Sequence, residues 1–185
     1  MSGAPQLRRT DRVMPDERMR EMLARGFHGR LATVGADGAP YCVPLLYVWD
    51  DGEVFLHNTL ARGHLRTNVD HEARVCFEID EAGEVFDYGR FECDSSVAYR
   101  SVIVFGRIRI VTEASAKQRF CEALMAKYGK PGTDRPKGFF PRLDQITVYA
   151  ITVERMTGKE LAMPEVSQQW PAVDMTKTPH ARAPG

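Results

Sequence analysis

The sequence predicts a small, mainly antiparallel β-barrel, closed or half-open, with few helices. Three observations point there. Six or so strand-like runs follow one another, Asp-Gly stands between two pairs of them, and a glycine falls at the middle of the longest run, where a barrel strand has to bend or bulge. A doubly wound sheet would need a helix between most strands, and helical patterns here are few.

Residues 1–14 read as a flexible N-terminal arm, with Gly, Pro and Arg near its start. From Pro15, the spacing of Met19, Met22 and Leu23 behind Asp16 and Glu17 predicts a short helix that Gly26 stops. Gly29-Arg30-Leu31-Ala32-Thr33-Val34, the turn Ala36-Asp37-Gly38-Ala39, and the run Pro40–Val48 form a hairpin signal. Pro44 inside the second run cannot donate to a ladder, which places it at an edge or a bulge and opens the sheet there. A second turn at Asp50-Asp51-Gly52 leads into Glu53–His57, so three strands are expected before residue 60.

Leu65 and Val69 then suggest a brief helix, and 73–80 a fourth strand. Gly83 to Ser96 reads as a long loop, of a length that in compact domains is usually functional or disordered; Phe86, Tyr88, Phe91 and Cys93 favour an ordered loop that covers a site or a partner subunit. Tyr99–Val111 is the longest β run and should be the central strand. Ala114–Tyr128 has Phe120, Ala123 and Leu124 at helical spacing and stops at Gly129 with Pro131 beyond. Ile146–Glu154 is the last strand. The folded domain is expected over 15–162, followed by a C-terminal arm over 163–185 that carries Trp170.

Composition narrows the function. Acidic and basic residues balance at 25 each, so no global field favours nucleic acid or an anionic membrane. No apolar run approaches the roughly 20 residues needed to span a bilayer, and the start lacks a signal-peptide pattern, so a cytoplasmic location is expected. Cys42, Cys76, Cys93 and Cys121 show no zinc-type spacing and read as reduced thiols; no metal site is expected.

The most informative stretch runs from Phe55 to Asn68. It starts as a strand, turns through Asn58, Thr59 and Leu60, and brings Arg62, Gly63, His64 and Arg66 into one short connection. Gly63 leaves room for backbone amides to approach an anion, and the neighbouring side chains offer charge-assisted hydrogen bonds. That is the chemistry of a phosphate cradle. The same residues would also suit an ordinary strand-to-helix turn with a solvated basic face. His57 is the sharpest single candidate, either as a catalytic imidazole or as a strand-end histidine bonded to backbone.

Several blocks in order resemble the pyridoxamine 5′-phosphate oxidase-like flavin-binding split barrels, in the branch of the 5-nitroimidazole-resistance and flavin-nucleotide-binding proteins. They are Gly29–Thr33 with Asp37–Leu45, Leu56–Thr59 with Gly63–Asn68, Val75–Glu78, Ser101–Gly106 and Thr157-Gly158-Lys159. The resemblance implies a six-stranded antiparallel split barrel that forms a homodimer with FMN in two interfacial clefts. It implies that Thr59, Arg62, His64 and Arg66 hold the phosphate, and that the flavin ring lies near Pro44, Leu45, His57 and Asn58. The partner subunit would complete the pocket through the 83–96 loop, Tyr99 and Trp170.

In that branch a basic residue commonly stands at the position of His64, and the C-terminal substrate motif of true pyridoxamine phosphate oxidases is absent. Two readings follow. One is an FMN-dependent oxidoreductase passing electrons to a small-molecule acceptor such as a nitro compound. The other is a carrier or sensor that holds flavin or haem without turnover. FAD, a deazaflavin or haem remain alternatives to FMN.

Overall fold

The computed structural model describes residues 7–132 and 134–182. A 3₁₀ turn at Thr10–Arg12 precedes α1 (Asp16–Arg25), then β1 (Gly29–Val34), β2 (Pro40–Leu45), β3 (Tyr47–Asp50) and β4 (Glu53–Thr59). The order continues with α2 (His64–His71), β5 (Arg74–Asp87), β6 (Ser95–Val111), α3 (Ala114–Tyr128) and β7 (Ile146–Leu161). Among the described residues no helix is long and apolar enough to cross a membrane.

Seven strands, one more than expected, form a single sheet in the order β2-β1-β5-β6-β7-β4-β3. The extra strand arises because the run Pro40–Val48 breaks at Leu46: β2 pairs with β1 and β3 pairs with β4, so the two lie at opposite edges. Only Leu46 separates those edges in the chain. Two residues reach at most about 7 Å, so the sheet must curl until its edges meet, leaving a barrel split at Leu46. Pro44 sits on an edge strand, as its missing N–H demands. β6 is the middle strand, as anticipated.

The chain divides into two compact units, and β5, β6 and β7 each contribute residues to both. The larger comprises 15–79 and 102–157. Its interior is filled by Leu31, Val54, Leu56, Phe77, Tyr149 and Ile151, all fully buried. α1 packs through Met19, Met22 and Leu23, and the Tyr47 hydroxyl donates to the Leu23 carbonyl at 2.6 Å. On the other face of β3, β4 and β7, α3 buries Phe120, Cys121 and Leu124 against Val48, Val148 and Ala150. The Lys127 ammonium lies 3.9 Å from the centre of the Tyr47 ring and donates to the Tyr47 carbonyl; burial pushes its pKa down to about 8.

Gly106, expected where the strand bulges or bends, stands at a close strand approach. A Cβ there would run into the Thr152 carbonyl.

The second unit comprises 80–101, 158–182 and the described residues up to Met14. The long loop expected over 83–96 is a hairpin: β5 continues to Asp87, β6 starts at Ser95, and only 88–94 remain as its tip. Most of residues 80–87 are exposed, so they lack the alternation that marks a half-buried strand. β7 likewise runs past Glu154 to Leu161, through residues that are half-buried around the buried Gly158 and so show no alternation either.

Of the expected arms, residues 1–6 and 183–185 lie outside the described residues. Val13 forms a bridge with Lys159, and the fully buried Met14 donates its N–H to the Gly158 carbonyl at 3.0 Å. The four cysteines are free. Cys42 is exposed and Cys76 half-buried, because they flank Ala32 on the outward face of β2, β1 and β5.

Candidate functional site

β4 ends at Thr59, and the Leu60 N–H donates to the Gln145 carbonyl at 3.0 Å, which fixes where the chain turns. The turn delivers Gly63 as N-cap of α2. Leu65 and Val69 bury the inner face of that helix, and the buried Asn68 amide donates to the Thr33 hydroxyl of β1 at 3.0 Å. A local turn thereby becomes a held platform.

Three features at this platform favour an anion. No side chain caps the first turn of α2, so its leading amides carry the positive end of the helix dipole unopposed. Gly63 has φ −104°, which any residue could adopt, but a Cβ there would meet nothing within 4 Å, so the approach is open. Arg62 and Arg66 converge on one carboxylate: Arg62 Nη2 lies 2.6 Å from Asp70 Oδ2 and Arg66 Nε 3.1 Å from Asp70 Oδ1. Two guanidinium groups share one acid, leaving a net positive charge.

Around this pair the structure gathers residues distant in sequence. The His64 ring lies against the Tyr41 ring of β2, with centroids 5.3 Å apart. The buried Tyr149 of β7 donates its hydroxyl to Asn58 Oδ1 at 3.2 Å. Burial raises the Tyr149 pKa, the Asn58 bond opposes that shift, and the charges of Arg66 and Asp70 also act on the hydroxyl. Of the expected residues, Arg62 and Arg66 meet at Asp70, while His64 contacts Tyr41 and Asn58 contacts Tyr149. Tyr41, Asp70 and Tyr149 were not singled out in the sequence. Asp70 carried a signal, its i,i+4 spacing from Arg66; Tyr41 and Tyr149 carried none.

Other candidates stand elsewhere. Thr59 is the exposed last residue of β4. Pro44 and Leu45 end β2 at the seam and point to opposite faces, since neighbours on a strand alternate. Arg30 pairs with Glu78 across β1 and β5 at 2.9 Å. Tyr99 and Trp170 belong to the second unit. There the Trp170 N–H donates to the Asp87 carbonyl and the Met175 N–H to the Tyr88 carbonyl, so the C-terminal segment lies along the hairpin tip.

His57, the expected catalytic residue, lies on the opposite face of β4 from Asn58. It pairs with Val148, and its ring sits 5.5 Å from Phe120 of α3. Its Nδ1 is buried without a hydrogen-bond partner, so the expected backbone bond is absent at that atom. Burial lowers the His57 pKa below its ordinary value of 6.5. Protonation thus favours the unfolded chain: stability held above about pH 6.5 falls as pH drops through 6.5, and levels off below the folded-state pKa. Urea melts between about pH 7.5 and 5.5 should show this decline, and His57→Phe should flatten part of it. Identical slopes for both proteins would show that His57 does not titrate this way.

The pyridoxamine 5′-phosphate oxidase family model matches residues 15–160. The chain belongs to this family. No curated protein sequence matches it. Among solved structures, it is similar to a conserved hypothetical protein of Mycobacterium tuberculosis, with 25% identity over 87% of this chain and 97% of the other and a TM-score of 0.67. A candidate 5-nitroimidazole antibiotic resistance protein from Bacteroides thetaiotaomicron shares the fold at 18% identity, covering 80% and 85% of the two chains, with a TM-score of 0.66. So does an FAD and heme binding protein from Mycobacterium smegmatis, at 19% identity over 82% and 74% of the chains and a TM-score of 0.67. The split-barrel architecture and the family resemblance read from the sequence agree with these matches.

Proposed function

We propose that this protein is a flavin-dependent oxidoreductase that holds FMN by its phosphate at the β4–α2 turn and reduces small electrophiles such as nitro compounds. The observation that carries this reading is the uncapped first turn of α2 beside two guanidinium groups that share a single carboxylate. A phosphate monoester needs several charge-assisted hydrogen bonds, and these are the groups that supply them. Arg66 and the amides of His64–Arg66 would hold the phosphate, with Arg62 at its exposed side. Leu45 and the backbone at the Leu46 seam would offer an apolar edge for the ring. When bound, the flavin supplies the redox chemistry; the protein supplies position and electrostatics. The chain acts as a homodimer in this reading, with Tyr99 and Trp170 as candidates for closing the partner's pocket.

The similarity to the FAD and heme binding protein favours a second reading, a flavin- or haem-binding protein without turnover. The visible absorbance spectrum of the purified protein, taken with added FMN, FAD or haemin and again after dialysis, separates the two. A flavin double band that survives dialysis, bleaches with NAD(P)H and recovers on adding a nitro compound is the expected result. A retained flavin that never turns over, or a Soret band alone, supports the second reading. Retention of neither cofactor overturns both.

A further inference from the structure

We propose that a second cleft, between the C-terminal half of α3 and residues 129–132 and 134–140 of the connection after it, binds a planar aromatic anion of the mononucleotide class. The connection leaves α3 at Gly129, whose N–H donates to the Met125 carbonyl at 2.8 Å, and folds back along the helix. The Gln118 amide fastens it there by donating to the Gly138 carbonyl at 2.9 Å and to Glu122 Oε1 at 2.8 Å. Gly132 and Gly138 take φ of +76° and +70°, a region where other residues are strained, so both reversals suit glycine. Between connection and helix lies a cleft of about 1210 Å³. Small-molecule pockets span roughly 300–1,000 Å³, so a mononucleotide has ample room.

The lining combines two properties that a ligand must match. Lys130, Arg135 and Lys137 face it, and none of them makes an ion pair among the described residues. The acid in the lining, Glu122, already accepts from Gln118; Asp134 lies in the same connection outside the lining. Aromatic and thioether surface is exposed beside these cations: Phe139 is 66% and Met125 48% accessible, although Phe140 next door packs into the α3 core. A metal-free inorganic anion would use only the cations and leave Phe139 in water. An aromatic phosphate uses both, since a planar ring stacks on Phe139 and on the Arg135 guanidinium while the phosphate meets the lysines. No residue of the β4–α2 turn lines this cleft, so the site is separate from the one described above.

The test titrates AMP, adenosine and ribose 5-phosphate into the full chain by calorimetry, in the unmodified protein and in the Arg62→Ala/Arg66→Ala background that disables the α2 turn. AMP is expected to bind saturably in both backgrounds, at least tenfold more tightly than either fragment. Arg135→Glu/Lys137→Glu and Phe139→Ser, all at exposed positions, are each expected to weaken AMP at least tenfold with unchanged melting temperature. Ribose 5-phosphate binding as tightly as AMP would reduce the cleft to a patch of charge and overturn the proposal. So would AMP binding that vanishes in the Arg62→Ala/Arg66→Ala background, or that ignores the cleft variants, or no saturable binding at all.

Discussion

Replacing Arg62 and Arg66 together by alanine should lower FMN affinity about a hundredfold while leaving the fold intact. A hydrogen bond to a charged group contributes about 1.5–3 kcal/mol, and 1.36 kcal/mol is one decade in affinity. The two arginines do not contribute equally. The Arg62 side chain is 63% exposed and the Arg66 side chain 25%, so solvent screens the former far more. Arg66→Ala alone should account for most of the loss, and Arg62→Ala for a few-fold. The fold should survive because neither guanidinium holds α2 down; Leu65, Val69 and the Asn68–Thr33 bond do that. Fluorescence titration with FMN, beside a thermal melt, reads both quantities. Unchanged affinity in the double variant would remove the phosphate cradle from this turn.

The same turn shows what sequence reasoning reaches. α3 was legible to its ends because its signals are local: Phe120 and Leu124 sit one turn apart, and Gly129 caps it. The Asp-Gly hairpins are local in the same sense, as Asp51 at φ +46° and Gly52 at φ +78° show. The closeness of Arg62, Gly63, His64 and Arg66 was legible too, since five residues cannot spread far.

What escaped was decided by partners elsewhere in the chain. Pro40–Val48 reads as one strand because nothing within it reports that β2 joins β1 at one edge and β3 joins β4 at the other. Strand alternation alone says that His57 and Asn58 point apart; which of them meets α3 depends on Phe120, sixty-three positions away by numbering. Tyr41 and Tyr149 reach the turn only through the register of β1 with β2 and of β4 with β7. The outer halves of β5 and β7 escaped for another reason: the first lies mostly in water and the second is half-buried along its length, so neither has a hydrophobic period to betray it.

Phe77→Ala should cost about 3–5 kcal/mol, the range for emptying a buried phenylalanine site, and Gly29 shows why the barrel is sensitive there. Phe77 is fully buried, and its ring stands edge-on to Tyr47 with centroids 5.0 Å apart. Leu31 pairs with Phe77 across β1 and β5, so Gly29 is its diagonal neighbour, and the ring occupies the room a Cβ would need. A Cβ on Gly29 would meet Phe77 Cε2 at 2.6 Å and the Glu78 carbonyl oxygen at 2.9 Å. Gly29→Ala must therefore displace the ring or the strand, at about 1–3 kcal/mol or more. Because the two residues compete for one volume, their effects should not add. Gly29→Ala combined with Phe77→Leu should be less destabilising than the sum of the single changes by roughly 0.5–3 kcal/mol, measured as a cycle of urea melts. Strict additivity would mean that the strand, not the ring, yields to the methyl group. The consequence reaches the candidate site, since β1 also carries Thr33, which holds Asn68 of α2.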